Sequence, residues 1–342
     1  LDLEIKVREL PFNGPWSRIG GMFPEALDRI LHSLPVAGDD EEAEAVIRIG
    51  SPIDLTPAPG AARTYVMAAH GAGSTVNVPI VGGLSVVDAL CANPATALLT
   101  PSAFARFGLV AQGVPEERIS VVPRGIDPGF FRPPSESERG NLRERFGWSD
   151  EFVFLNVSAM TDNKGIDRLI RAFAAVVAHY PQARLVLKGV DSIYRSKDRF
   201  TGIMRQLSPK MAAMVEPRLT YIGGNYKLVD MTRLYQCADV LVAPYLSEAF
   251  CSPALEAAAC GLPSICTQGG PTEEITSDEF SLRIAAQWDQ QSRILSPDEN
   301  HLAQNMAFIV TNPAWRERAR IVAADFALRR FTWDQAAERL LQ

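Results

Sequence analysis

The sequence predicts an α/β protein with two domains, and three observations support this. The chain has 342 residues, more than twice the ~150 residues of an average domain. From about residue 151 onward, short apolar runs alternate with segments whose apolar residues recur at helical spacing. The run at residues 152–157 is apolar except for Asn156, which is typical of a strand that helices cover on both faces. Strands that alternate with helices in this way predict parallel sheets with right-handed crossovers.

The second half gives the more regular series of elements. Its predicted strands are residues 152–157, 183–187, 219–222, 239–243 and 263–266. Its predicted helices are residues 166–180, 230–237, 253–260 and 331–341. The first of these helices has its apolar side chains on one face, as expected for a helix that packs against a sheet.

The first third is less regular. A helix is predicted around residues 23–34. Strand candidates are residues 3–10, 45–49, 65–69, 97–100 and 118–122. Residues 123–134 are rich in proline and glycine, which makes them the best domain boundary in the sequence.

Composition narrows the class of function. A net charge of −6 argues against nucleic acid as a partner, because phosphate backbones are held by clustered Lys and Arg. No apolar run approaches the ~18 residues of a membrane span. The five cysteines include no CxxC pair, and the four histidines lack metal-ligand spacing, so we expect reduced thiols and no bound metal. The first residues lack a basic start followed by an apolar run, and we expect a cytoplasmic protein.

The most informative segment is the strand-to-helix junction at residues 247–263. Ser252 is predicted to cap the helix, with Pro253 in the first helical position. The amides near Ala254 would then be unpaired at the positive end of the helix, as in an anion site. Glu248 and Glu256 flank this point, and carboxylates accept hydrogen bonds from sugar hydroxyls. These residues would suit a binding site for a phosphorylated polyol. A capped helix with two solvated acids and no ligand explains them equally well.

Four weaker features lie at other junctions. Lys164 precedes a helix, where a cation opposes the helix dipole at a mild cost unless an anion also binds, although a solvated surface lysine is more common. The pair Gly20 and Gly21 allows close backbone approach to a ligand, although a plain turn explains it equally well. His70 follows a predicted strand, at the edge where open α/β sheets bind ligands, although a structural role is more common for a lone histidine. Gly269 and Gly270 form another strand-to-loop junction at that edge.

These segments together resemble retaining glycosyltransferases of family 4. Glu248 and Glu256 are separated by seven residues, as in the E-x7-E signature of that family. Residues 244–250 and 254–263 resemble its "PS-x-x-EGFG-x-P-x-LEA-x-ACG-x-P" stretch, and residues 163–167 resemble its "KG-x-x" segment. Residues 100–104, 113–127 and 131–133 resemble the segment that leads into the second domain, and the tail with Phe331 and Trp333 is similar to the closing helix. The resemblance covers about residues 100–342.

The resemblance implies a GT-B architecture, with two Rossmann-like domains that face each other across a cleft. Residues 1–128 would form an acceptor domain that is short for the family. Residues 129–328 would bind the nucleotide sugar, and the helix at 329–342 would return to the first domain. The implied activity is retaining, metal-independent transfer from a nucleoside diphosphate sugar, preferably UDP- or GDP-linked, without a cofactor. The acceptor, a glycan or a lipid-linked sugar among the options, is not specified, and peripheral attachment to the inner membrane surface is left open.

The resemblance also assigns roles to individual residues. Glu256 would bind the ribose hydroxyls and Lys164 the diphosphate. His70 would lie beside the donor sugar, near the reacting centre. The remaining contacts with the donor sugar and its phosphates would come from Glu248, from the amides of Phe250, Cys251 and Ser252, and from Gly20 and Gly21.

One departure from the family pattern concerns a cation. Many members have an arginine five residues before the lysine of "KG", and here that residue is Ala159. Lys188 is a candidate replacement, and Arg195 is a weaker one. Two alternatives are a different enzyme on the same architecture, either a nucleotide-sugar epimerase or a sugar phosphorylase, and a degenerate GT-B binding or scaffold module without turnover. Release of free nucleoside diphosphate in the presence of acceptor distinguishes the transferase from both.

Overall fold

The computed structural model describes residues 3–8, 23–38, 41–50, 52–68 and 80–342. The chain divides into two compact units, Leu1–Pro123 and Arg124–Gln342. The division falls at the start of the proline- and glycine-rich stretch. The predicted return of the last helix to the first domain stays a prediction.

The first unit contains a four-stranded parallel sheet. Its strands are β1 (Ala43–Arg48), β2 (Ala61–Met67), β3 (Thr96–Thr100) and β4 (Ile119–Val121), and they pair in chain order. Its helices are α1 (Glu25–Ser33), α2 (Val86–Ala92) and α3 (Ala103–Val110). The strand predicted at residues 3–10 is not formed by its described residues 3–8, which are all exposed and make a single bridge between Val7 and Val36.

The second unit is built on a six-stranded parallel sheet. The strands are β5 (Phe152–Val157), β6 (Ala183–Lys188), β7 (Leu219–Ile222), β8 (Val240–Ala243), β9 (Ser264–Thr267) and β10 (Ser281–Ile284). Their order across the sheet is β10-β9-β8-β5-β6-β7, and every neighbouring pair is parallel. The order therefore reverses between β5 and β8. In open α/β sheets, the crevice at such a switch point, beyond the carboxyl ends of the strands, is where ligands bind.

Helices cover both faces of this sheet. The helices of the second unit are α4 (Glu136–Phe146), α5 (Ile166–Val177), α6 (Ser196–Gln206), α7 (Pro209–Val215), α8 (Leu228–Cys237), α9 (Ser252–Ala259), α10 (Thr272–Ile275), α11 (Glu299–Thr311), α12 (Pro313–Arg330) and α13 (Trp333–Leu340). A small antiparallel pair, β11 (Ala286–Asp289) and β12 (Ile294–Pro297), precedes α11. Among the described residues, no helix is both long enough and apolar enough to cross a membrane.

Alternation along β5 shows why its sequence is apolar except at Asn156. Val153 and Leu155 belong to a core shared with α8, α9 and α12. Phe152 and Phe154 point to the opposite core, shared with α5 and α11. Because successive side chains of a strand alternate between faces, a strand that is covered on both faces needs apolar residues throughout. The predicted parallel α/β arrangement of the second half is confirmed.

Candidate functional site

Two loops are joined beyond the carboxyl ends of β5 and β8. The Asn163 carbonyl accepts a hydrogen bond from the Leu246 amide at 2.7 Å. The Asn163 side-chain amide donates to the Ser247 carbonyl at 2.8 Å, and the Thr161 hydroxyl donates to the Asn163 side-chain oxygen at 2.7 Å. These bonds place the residues that follow Asn163 and Ser247 opposite each other, at the switch point of the sheet.

Gly165 allows these two loops to approach so closely. Its backbone has φ +64°, in the left-handed region that favours glycine. A Cβ added there would also collide with the Pro244 carbonyl oxygen. The glycine of the Lys164-Gly165 pair is therefore required for the contact between the β5 and β8 loops.

The joined loops bring Lys164 and Glu248 together. The Lys164 Nζ donates to Glu248 Oε1, and each side chain is 19% exposed. A partly buried ion pair is screened less by solvent than a surface pair, and the ammonium keeps further protons for a second acceptor. An anion that enters this site would therefore compete with Glu248 for Lys164.

The start of α9 differs from the sequence prediction. The helix begins at Ser252, and Cys251 occupies the N-cap position with φ +67°. The Ala254 amide donates to the Cys251 carbonyl at 2.9 Å, and Pro253 is the second helical residue. The predictions that Ser252 caps the helix, that Pro253 takes the first position and that the Ala254 amide is unpaired are therefore wrong. The reason is the left-handed turn at Cys251, which brings the chain into the helix one residue earlier.

Glu256 lies one turn into α9 and is held by a buried tyrosine. The Tyr235 hydroxyl donates to Glu256 Oε2 at 2.6 Å. Burial raises the pKa of Tyr235 well above its ordinary value, so the hydroxyl keeps its proton. Burial also raises the pKa of Glu256, whereas the Tyr235 hydrogen bond and the charge of Arg124 lower it. Sequence reasoning missed Tyr235, although it lies in the predicted 230–237 helix.

Lys188 ends β6 at the same edge of the sheet and is only 4% exposed. Its Nζ donates to the carbonyls of Gly189 and Gly224, the latter at 2.8 Å, and lies 5.1 Å from the centre of the Tyr226 ring. Burial lowers the pKa of Lys188 from its ordinary value. Its predicted role as a diphosphate cation stays a prediction.

Arg195, the weaker candidate, is 88% exposed and pairs with Asp198. The Ala159 carbonyl, at the position of the family arginine, accepts a hydrogen bond from the Ser196 hydroxyl at 2.9 Å. The Ala159 carbonyl is thus bonded to Ser196, the first residue of α6. Arg195 itself points its guanidinium to a surface carboxylate.

Gly269 and Gly270 follow β9 at the carboxyl edge, as predicted. The Gly269 amide donates to the Glu273 carboxylate at 2.7 Å. A Cβ on Gly270 would collide with the Tyr245 hydroxyl, which contacts the Thr272 hydroxyl at 2.7 Å. This junction therefore depends on glycine for packing against Tyr245.

Three predicted site residues, Gly20, Gly21 and His70, lie outside the described residues, and their roles stay predictions. Phe250, Cys251 and Ser252 are described, but the contacts of their amides with a donor also stay predictions. Within the described ranges, no group of three or more His, Cys, Asp or Glu side chains could hold a metal ion.

The family follows from the sequence match over this region. Residues 138–324, more than half of the chain, match the family described as glycosyl transferases group 1. The chain belongs to this family. The match contains Lys164, Glu248 and Glu256 and all six strands of the sheet around them.

Curated relatives of this group 1 glycosyltransferase have different names. Mannosylfructose-phosphate synthase of Agrobacterium fabrum is 28% identical over 232 residues, which cover 67% of this chain and 48% of the relative. D-inositol 3-phosphate glycosyltransferase of Actinosynnema mirum is 30% identical over 232 residues, which cover 66% of this chain and 51% of the relative. The chain thus spans about half the length of the curated relatives that it matches.

Solved structures confirm the predicted GT-B class of fold. HepE of Anabaena, in complex with UDP and glucose, has a TM-score of 0.67 at 18% identity, over 82% of this chain and 70% of that one. WaaG, a glycosyltransferase of lipopolysaccharide biosynthesis, has a TM-score of 0.65 at 18% identity, over 85% and 75%. At this level of identity the similarity shows the fold alone.

Proposed function

We propose that this group 1 glycosyltransferase transfers a sugar, with retention, from a nucleoside diphosphate sugar to an acceptor hydroxyl, without a metal or a cofactor. The observation that carries the proposal is the placement of Lys164, Glu248 and Glu256 around the start of α9, at the switch point of the sheet. UDP is the preferred nucleotide, because the HepE structures hold UDP or UDP-glucose.

The leaving diphosphate defines what the site must do. When the bond between the sugar and the diphosphate breaks, negative charge collects on the phosphate oxygens. Lys164 stabilises that charge by exchanging Glu248 for a phosphate oxygen, and the amides of Phe250, Cys251 and Ser252 add donors at the helix start. Glu248, once released, accepts hydrogen bonds from hydroxyls of the donor sugar. Glu256, oriented by Tyr235, accepts them from the ribose.

The acceptor is a polyol whose identity needs a screen. The two curated relatives named above carry a phosphorylated acceptor or product in their names, so phosphorylated small polyols belong in that screen beside glycans and lipid-linked sugars. Net retention is to be read from the anomeric configuration of the product by NMR. An inverted product would contradict the retaining mechanism.

The test is release of free nucleoside diphosphate from UDP- and GDP-sugars with this acceptor panel, in saturating EDTA. We expect acceptor-dependent release that survives the chelator. Complete loss in EDTA with rescue by Mn²⁺ would contradict metal independence. Binding of nucleotide without turnover would favour the degenerate module, and an epimerised sugar without diphosphate release would favour the epimerase.

A further inference from the structure

Arg124 lies beside the first turn of α9, although it is 128 residues away in sequence. Its Nη1 donates to the Ser252 hydroxyl at 3.1 Å. Its charge also acts on the Glu256 carboxylate, whose pKa it lowers against the effect of burial. The guanidinium is therefore close to Ser252 and Glu256, which lie at the start and at the end of the first turn of α9.

The backbone that follows Arg124 is fixed by the end of the chain. The Ile126 amide donates to the Phe331 carbonyl at 2.9 Å, and the Trp333 amide donates to the Ile126 carbonyl at 3.3 Å. A Cβ on Gly125 would collide with the Trp333 amide nitrogen. Arg124 thus extends from a defined backbone position, one that only glycine at the next residue permits.

The Arg124 guanidinium has most of its donors available. The residue is exposed, and it forms no salt bridge with a carboxylate in the part of the chain that the structure describes. Arg195 and Arg199 differ in this respect, since they pair with Asp198 and Asp162. A guanidinium has five N–H donors in a planar fork, and the bond to Ser252 uses one of them.

We propose that Arg124 binds the diphosphate of the donor and supplies the second cation that Ala159 does not. The inference rests on the proposed function, because it takes a nucleoside diphosphate sugar as the ligand. Lys188 is buried and already donates to two carbonyls, whereas Arg124 is exposed beside the helix start. A guanidinium fork binds phosphate in a bidentate manner, which a single ammonium does not.

The experiment compares UDP, UMP and uridine as ligands of wild type, Arg124→Gln and Arg124→Lys, by calorimetry or competition. We expect Arg124→Gln to weaken UDP binding about tenfold or more, as for loss of a hydrogen bond to a charged group. Uridine affinity should change little, and Arg124→Lys should recover part of the UDP affinity. The matched control is Arg145→Gln, an exposed arginine in the last turn of α4, which leads to the opposite edge of the sheet.

Each outcome decides one question. Wild-type protein that binds none of UDP, GDP and ADP, the last two added to the same assay, overturns the proposed function and this inference with it. Wild-type protein that binds UDP no more tightly than Arg124→Gln overturns the inference alone. An equal loss of UDP and uridine affinity also overturns it, because Arg124 would then shape the nucleoside pocket. If Arg124→Gln does not fold, Arg124→Lys gives the same comparison, with intermediate UDP affinity expected and wild-type affinity contradicting the bidentate contact.

Discussion

At the scale of single residues, each charged side chain of the site forms a hydrogen bond or an ion pair with another side chain of the protein. Lys164 pairs with Glu248, Tyr235 holds Glu256, and Arg124 contacts Ser252. The E-x7-E spacing and the "KG" segment predicted Lys164 and Glu248 as site residues, but not that they form an ion pair. They could not predict Tyr235 or Arg124, because those contacts join elements that are distant in sequence and depend on tertiary packing.

Replacing Lys164 with Ala should lower turnover by roughly 10²- to 10³-fold, the usual loss for one preorganised donor to a developing anion. Steady-state rates of diphosphate release measure this. Lys210→Ala, at an exposed position on α7, is the control and should keep the wild-type rate. A Lys164→Ala enzyme with more than half of the wild-type rate would contradict the role of this lysine.

Replacing Glu248 with Gln should separate binding from turnover. The change removes the carboxylate that holds Lys164, so the ammonium becomes available to a diphosphate and UDP should bind more tightly. Turnover should fall, since the contact with the donor sugar is weakened. Calorimetry with UDP and steady-state kinetics give the two values. Weaker UDP binding in the variant would show that Glu248 is not a competitor for Lys164.

Glu256 should make folding stability depend on pH in an unusual direction. Its pKa in the folded protein is raised by burial, so the folded state holds a proton there more tightly than the unfolded chain. Stability of the wild type relative to Glu256→Gln should therefore rise as pH falls through the folded pKa. Denaturant unfolding of both proteins between about pH 7 and about pH 4.5 measures the difference. A difference that grows in the opposite sense would contradict the raised pKa.

At the scale of elements, glycine positions and loop entries decide where the side chains lie. The predicted strands β5–β9 and the predicted helices α5, α8, α9 and α13 follow from apolar pattern and length. Their positions bring Lys164 and Glu248 to one edge of the sheet. The start of α9 did not follow from pattern. Capping preference favours Ser252 as the N-cap residue. In the structure the loop from β8 enters α9 through Cys251, which is the N-cap residue and has a left-handed conformation. Local preference cannot reveal that entry angle.

Gly165→Ala should destabilise the second unit and weaken UDP binding. The alanine would be strained at φ +64° and would push the β5 and β8 loops apart at Pro244. We expect a loss of at least about 1–3 kcal/mol in the free energy of unfolding. Gly140→Ala is the control, because this glycine lies inside α4 with open space around it. That change should be neutral or stabilise by up to about 1 kcal/mol, and equal destabilisation by both would contradict the role of Gly165.

At the scale of the whole molecule, the strand order of the second unit explains why the site is where it is. The strand order reverses between β5 and β8, and the loops that follow these two parallel strands carry Lys164 and Glu248. The alternation of strands and helices predicted a parallel sheet but not this order, which depends on which strand each crossover returns to. The acceptor could not be predicted, because the first unit has few sequence features that specify one.

The most direct test of the central claim, that the site binds a nucleoside diphosphate sugar through its diphosphate and ribose, is thermal unfolding with UDP, GDP and ADP. A ligand at a hundredfold excess over its Kd stabilises the folded state by about 2.7 kcal/mol, which for a chain of this size raises Tm by about 5 °C. We expect such a shift with one of the three, UDP first, unchanged in EDTA and absent in Glu256→Ala. If millimolar concentrations of all three leave Tm unchanged, the nucleotide-sugar account is contradicted.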